Sequence, residues 1–203
     1  MISIKKQTII FNKTTILVLL FALHSLLIVS QKSNWKIDTN HTKIGFEITY
    51  FKIGNIKGVF DKYSGSFIQE DGKISSVTIT IETNSINTNQ SNRDKHLISK
   101  DFFDATQHPN ITFVSTNIRK TGEKEYEIEG NFTMTGITKS IVLKAIDKGT
   151  FIHPRFKNNN KFLTITGVIK REEFNVGTNY PPAKFALGQD VKLTAEVNLV
   201  EEK

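Results

Sequence analysis

The sequence predicts an all-β domain, an antiparallel sheet closed into a barrel or split into a sandwich, with one short helical excursion. Three observations predict it. Apolar and polar residues alternate with period two in segment after segment, the pattern of strands with one buried face. Short polar turns separate those segments. No long amphipathic helical pattern intervenes, so parallel strands joined by crossover helices are not expected.

The first thirty residues stand apart. Lys5, Lys6 and Lys13 give a basic start, Thr14 to Val29 is almost wholly apolar, and small Ser30 precedes polar "QKSN". This is the layout of a secretory signal peptide cleaved near Ser30, and the apolar run is short for a bilayer span. The expected domain is therefore 31–203, in the periplasm or secreted. Its 173 residues are enough to bury about 70% of the unfolded surface in one domain. The chain has no cysteine, which removes disulfides, thiol catalysis and Cys-ligated zinc. Three of the 27 basic residues fall in the leader, leaving 24 against 20 acids. These charges are scattered, as in "EKEYEIE", and nucleic-acid binding would want a basic stripe instead.

The strands follow in order. Ile44, Phe46, Ile48 and Tyr50 alternate with polar or small neighbours, and "GVFDKYSGSF" (58–67) forms the next segment. Val77, Ile79 and Ile81 alternate with Ser76, Thr78 and Thr80. "ITFVSTNI" (111–118) comes next, then Tyr126, Ile128, Phe132 and Met134 around Gly130. Ile141, Leu143 and Ala145, then Leu163 and Ile165, then Val191 through Leu199 at alternate positions complete about eight strands. Turns are expected at "EDGK" (70–73), "KTGEK" (120–124), "TGITK" (135–139) and "NNNK" (158–161).

One region breaks the rhythm. In "SNRDKHLISKDFFDATQHP" (91–109), Ser91 and Asp94 fit a capping box opening a short helix through Leu97 and Ile98. Asp101 is expected to cap a second turn carrying Phe102 and Phe103, with Pro109 ending the excursion. Asp94, His96, Asp101, Asp104 and His108 are candidate metal ligands. Residues two apart on a helix diverge, however, and no i, i+4 histidine pair exists, so no metal is expected. No nucleophile elbow and no glycine-rich phosphate loop is present. The planar fork of Arg93 suits either an internal acid or the polar end of a ligand.

Of 15 phenylalanines, 13 follow residue 30. They suit an ordinary β core. A barrel of about eight strands can equally leave its lumen open for one small ligand, and an apolar lumen would shelter a water-insoluble molecule without any catalytic residue.

The residues then identify a family. From "WKIDTNHTKIGFEI" through "IKGVFDKYSGSF", "SINTNQSNRDKHLISKDFFDATQHPNITFVST" and "GNFTMTGITK" to "REEFNV", the chain resembles the YceI-like family of exported barrel proteins. The resemblance implies a lipocalin-like antiparallel barrel whose apolar cavity holds a polyprenyl or quinone-type lipid. Asn175 stands where many members have glycine, and asparagine tolerates positive φ.

The expected function is an exported carrier or storage protein that binds a long-chain isoprenoid lipid noncovalently, with neither catalysis nor a cofactor. The expected tail site comprises Phe46, Ile48 and Phe60, then Val77, Ile79 and Ile81, Phe113 and Phe132, and Leu193 and Val197. Arg93 and His96 are expected near the ligand's polar end. Besides the lipid, at most transient membrane contact is expected, and a homodimer is compatible with the sequence. Two alternatives remain at this point: an envelope enzyme working through Arg93, Asp94 and His96, and an interaction module with a solid core.

Overall fold

The structure, a computed structural model, describes residues 31–202. The expected signal peptide lies outside the described residues. Eleven strands form one sheet: β1 (Lys32–Ile37), β2 (Lys43–Tyr50), β3 (Gly54–Phe60), β4 (Tyr63–Glu70), β5 (Lys73–Glu82), β6 (Ile86–Asn87), β7 (Asn110–Lys120), β8 (Glu125–Met134), β9 (Ile137–Ile152), β10 (Asn159–Lys170) and β11 (Leu187–Glu201). All pairings are antiparallel, and pairing of β1 with β11 closes a ring of eight: β1, β4, β5, β7, β8, β9, β10, β11. The fold is thus a closed barrel and not a sandwich.

Length explains why eleven strands make an eight-membered ring. β11 is 15 residues long and serves two partners: its end pairs with β1 (Leu199↔Ile37) and its first part with β2 (Glu196↔Lys43). β3 pairs with β2 and then with β6, a short continuation of β5. So β1 and β4 complete one end of the barrel, while β2, β3 and β6 complete the other.

Where β1 gives way to β2, the backbone of Asn198 would lose its ladder. Polar side chains replace it: Asn198 N donates to Thr42 Oγ1 at 2.9 Å, and Asp38 N donates to Asn198 O at 2.9 Å. The Asp38 carboxylate accepts from Asn198 Nδ2 at 3.2 Å and pairs with His41 Nδ1 at 2.6 Å.

Two-residue turns join β4 to β5 and β8 to β9, with positive φ at Asp71–Gly72 and Thr135–Gly136. That is the primed turn geometry matching the twist of the strands. Asn175 also adopts positive φ (57°), as expected for its turn.

Four local expectations are corrected. Residues 58–67 are not one strand: the chain bends at Asp61–Lys62, and Asp61 N donates to Ser85 O at 3.0 Å. The "NNNK" segment does not form a turn, because β10 already starts at Asn159 and residues 153–158 make the connection. Ser91 does not cap the first helix, α1 (Ser91–Leu97); Gln90 does, its side chain accepting from Arg93 N. Asp101 caps nothing and binds His96 instead. β1 and a second helix, α2 (Pro181–Ala186), were not anticipated at all.

Core packing is uneven along the barrel. At the β1 end, Trp35, Phe67, Ile74, Leu163 and Leu199 are buried and fill the interior. Lys161 lies over the Trp35 ring and pairs with Asp147 at 3.0 Å, both largely buried. The opposite end, where β6 leads through α1 into β7, is hollow.

Candidate functional site

The hollow is a cavity of about 560 Å³. Its deepest walls include Val77, Ile128 and Val197, all almost fully buried. Toward the β2–β3 end the inward positions continue with Phe46, Ile79, Leu143 and Leu193, which are only half-buried. The same period-two faces that meet one another at the packed end fail to meet here, so their free surface faces the lumen. Volume and lining suit one small ligand or part of a longer one.

All twelve residues expected at the site line this cavity. Phe46, Ile48 and Phe60 lie on β2 and β3; Val77, Ile79 and Ile81 on β5; Phe113 on β7; Phe132 on β8; Leu193 and Val197 on β11. Arg93 and His96 reach it from α1. A wholly solid barrel is thereby excluded.

The polar groups of the excursion do not converge. Asp94 accepts from Thr88, from the backbone N at 2.9 Å and the hydroxyl at 2.5 Å. Arg93 grips the same residue from the other side, Nε to Thr88 Oγ1 at 2.7 Å and Nη2 to Thr88 O at 2.8 Å. Arg93 has no ion-pair partner among the described residues; Thr88 takes two of its three guanidinium nitrogens, and the residue lines the cavity. His96 faces elsewhere, Nε2 lying 2.8 Å from Asp101 Oδ2. Its ring meets Phe102 and Tyr180 edge-on, with centroids 5.1 and 4.8 Å away. The arrangement holds a roof in place and presents no nucleophile–base pair. Among the described residues no three His, Asp or Glu side chains gather as a metal site.

Sequence reasoning missed the part of the lining that residues 171–187 contribute. Arg171, at the end of β10, is 2% exposed and still lines the lumen. Nε donates to Gly188 O (2.9 Å), Nη1 to Val176 O (2.9 Å), and Nη2 to Glu172 Oε1 (3.0 Å) and Ala183 O (3.3 Å). One fork thus ties the 171–174 turn, α2 and the start of β11 together. Burial pulls its pKa below the usual arginine value, and neighbouring Glu172 opposes that shift. Tyr180, Pro182 and Ala183 belong to the same part of the lining. The only signal for α2 was the Pro181–Pro182 pair, suited to a helix's first positions. Nothing in the sequence marked Arg171 as buried.

Residues 35–199 match the YceI-like domain. Protein YceI of Salmonella newport is 34% identical over 190 residues, covering 90% of this chain and 96% of that one. The crystal structure of a Campylobacter jejuni YceI protein superposes with a TM-score of 0.68 at 29% identity, over 74% of this chain and 88% of that one. A polyisoprenoid-binding domain from Saccharophagus degradans superposes with a TM-score of 0.62 over 83% and 98%, and at 11% identity the likeness is one of fold.

Proposed function

The chain belongs to the YceI-like family, and from that premise we propose that it is an exported carrier or storage protein for a long-chain isoprenoid lipid, bound noncovalently in the barrel. One observation carries the reading: an apolar cavity of about 560 Å³ lined by carbon-rich side chains with only a few polar ones among them. Burial of each methylene contributes about 0.8 kcal/mol before ordering costs, so a prenyl tail needs no covalent bond to be retained. Arg93, His96, Arg171 and Tyr180 lie among the lining residues contributed by the helical and loop segments. A polar head group or terminal oxygen would meet them there, with Arg93 the cation lacking a carboxylate partner. The polyisoprenoid binding of the Saccharophagus domain supports the same ligand class for this barrel. The basic, apolar and small-residue order of residues 1–30 supports export.

The experiment is organic extraction of the purified protein with mass spectrometry, coupled to uptake of a polyprenyl alcohol and a prenyl quinone from detergent micelles. Recovery of a prenyl lipid, or saturable uptake of either probe, is expected. Extraction without any amphiphile together with no uptake overturns the reading.

A further inference from the structure

The mouth of the cavity carries an apolar tip that the binding of a lipid tail does not explain. Between β2 and β3 the chain turns through Tyr50-Phe51-Lys52-Ile53, closed by Ile53 N donating to Tyr50 O at 3.3 Å. The α2 helix ends beside it: Phe51 N donates to Ala186 O at 2.7 Å, and Tyr50 pairs with Leu187. Phe51 is 54% exposed, Ile53 95% and Phe185 81%. Single exposed apolar residues are ordinary, but three on two adjoining segments are not. Phe51 and Lys52 both adopt positive φ, 47° and 64°, a conformation costing about 1–2 kcal/mol per residue without glycine. The turn thus carries large side chains at positions where asparagine or glycine would relieve strain.

Charge points to the occupant. The turn and the helix, 50–54 and 181–187, contain Lys52 and Lys184 and no carboxylate, whereas Lys57 farther along β3 pairs with Glu47 at 3.3 Å. Exposed apolar side chains interleaved with lysines fit the boundary of a bilayer, where rings enter the acyl region and ammonium groups stay among anionic headgroups. Tyr50, Phe51 and Ala186 belong to the tip and line the cavity as well, so whatever covers the tip also faces the opening.

We propose that the β2–β3 turn and α2 form a docking surface that lays the mouth of the barrel on an anionic lipid bilayer. The role of this contact, giving a prenyl tail a path between bilayer and lumen without crossing water, rests on the carrier reading above. The contact itself does not.

The chain has no cysteine, so one introduced thiol gives a single label in the full-length protein. An environment-sensitive dye is placed at Ile53→Cys, Phe185→Cys or Thr121→Cys. Ile53 and Phe185 do not line the cavity, and Thr121 is an exposed polar residue on the β7–β8 connection, beside Glu123 and Glu125 and at the opposite end of the barrel. With phosphatidylcholine–phosphatidylglycerol vesicles, the dye at 53 and at 185 is expected to shift to the blue and brighten severalfold, while the dye at 121 stays unchanged. Adding Lys52→Ser and Lys184→Ser weakens the response at position 53 about 25-fold, since each lysine near such a surface contributes about fivefold. No change at position 53, an equal change at 121, or a change at 53 caused by self-association without vesicles overturns the proposal. Uptake from micelles, measured in parallel, separates the two readings: normal uptake with a silent dye removes the docking surface alone.

Discussion

The ring of Phe46 on β2 lies across the α-carbon of Gly58 on β3, where an added Cβ would come within 2.5 Å of Cζ. Gly58 is therefore a space requirement: the glycine face lets a large inward ring lie flat against the wall. Gly130 serves the Phe113 ring in the same way. The wall of the cavity is built from such unequal pairs, which keep aromatic surface on the lining without closing the lumen.

Gly58→Ala is expected to drive the Phe46 ring off the wall and into the lumen. Overpacking of this kind costs about 1–3 kcal/mol, and prenyl uptake should fall with it. The double variant Gly58→Ala/Phe46→Ala should recover part of the uptake, because the clashing ring is gone and only the contact of the new methyl with Thr88 Cγ2, at 2.9 Å, remains. Urea denaturation and micelle uptake on the same three proteins check this; additive losses would show that the two residues do not compete for one space.

Arg171 makes a second prediction. Its guanidinium satisfies three backbone carbonyls, those of Val176, Ala183 and Gly188. Arg171→Met leaves those acceptors buried and should cost about 3–5 kcal/mol, the size seen when one partner of a buried charged network is removed. Arg171→Lys should restore only a small part of that, since an ammonium cannot span the same fork. Denaturation of both variants tests it, and a loss under about 1 kcal/mol in the methionine variant would contradict this role.

Much of the barrel was legible because alternation is a strict signal: slipping a strand by one residue turns every side chain to the other face. That is why the inward faces of β2, β5 and β11 could be chosen from sequence, and why all twelve expected residues line one cavity. The break between β3 and β4 was also written there. Inward residues run Gly58 and Phe60 on even numbers, then Tyr63, Gly65 and Phe67 on odd ones, and a change of parity requires a bend. The roof was less legible. Capping at Ser91 and at Asp101 was read from local pattern, but Gln90 took the first position and His96 took the second acid. The α2 segment spans only six residues, too few for helical periodicity to show. Arg171 acts through contacts distant in sequence, which no local pattern records.

The β1–β2 handover sets an acid limit on stability. Burial of Asp38 raises its carboxyl pKa, but hydrogen bonds from His41, the Asn40 backbone and Asn198, with the charge of His41, outweigh it, and the net shift is below 3.8. A carboxylate with a depressed folded-state pKa contributes stability that is fully present above its unfolded value and is lost as pH falls through the folded value. The difference in Tm between wild type and Asp38→Asn is therefore expected to be constant at neutral pH and to shrink below pH 3.8. A difference that stays the same down to strongly acid solution would remove Asp38 from the acid transition.

Two alanines give the sharpest test of the hollow, because both pair with Ile165. Ala145 on β9 and Ala195 on β11 flank it in register. Ala145 is 1% exposed and lies in the packed core, whereas Ala195 lines the cavity. A phenylalanine at position 145 has nowhere to go and should cost about 1–3 kcal/mol or more by overpacking. The same residue at position 195 enters open space lined by carbon, where each buried methylene is worth about 0.8 kcal/mol. Ala195→Phe should thus fold with unchanged or higher stability while losing most of its capacity for a prenyl chain, the ring now occupying the tail's place. Thermal denaturation and micelle uptake of the pair decide the matter. Equal destabilisation by both substitutions would mean that Ala195 faces packed protein in solution, and the cavity would then have no room for a ligand.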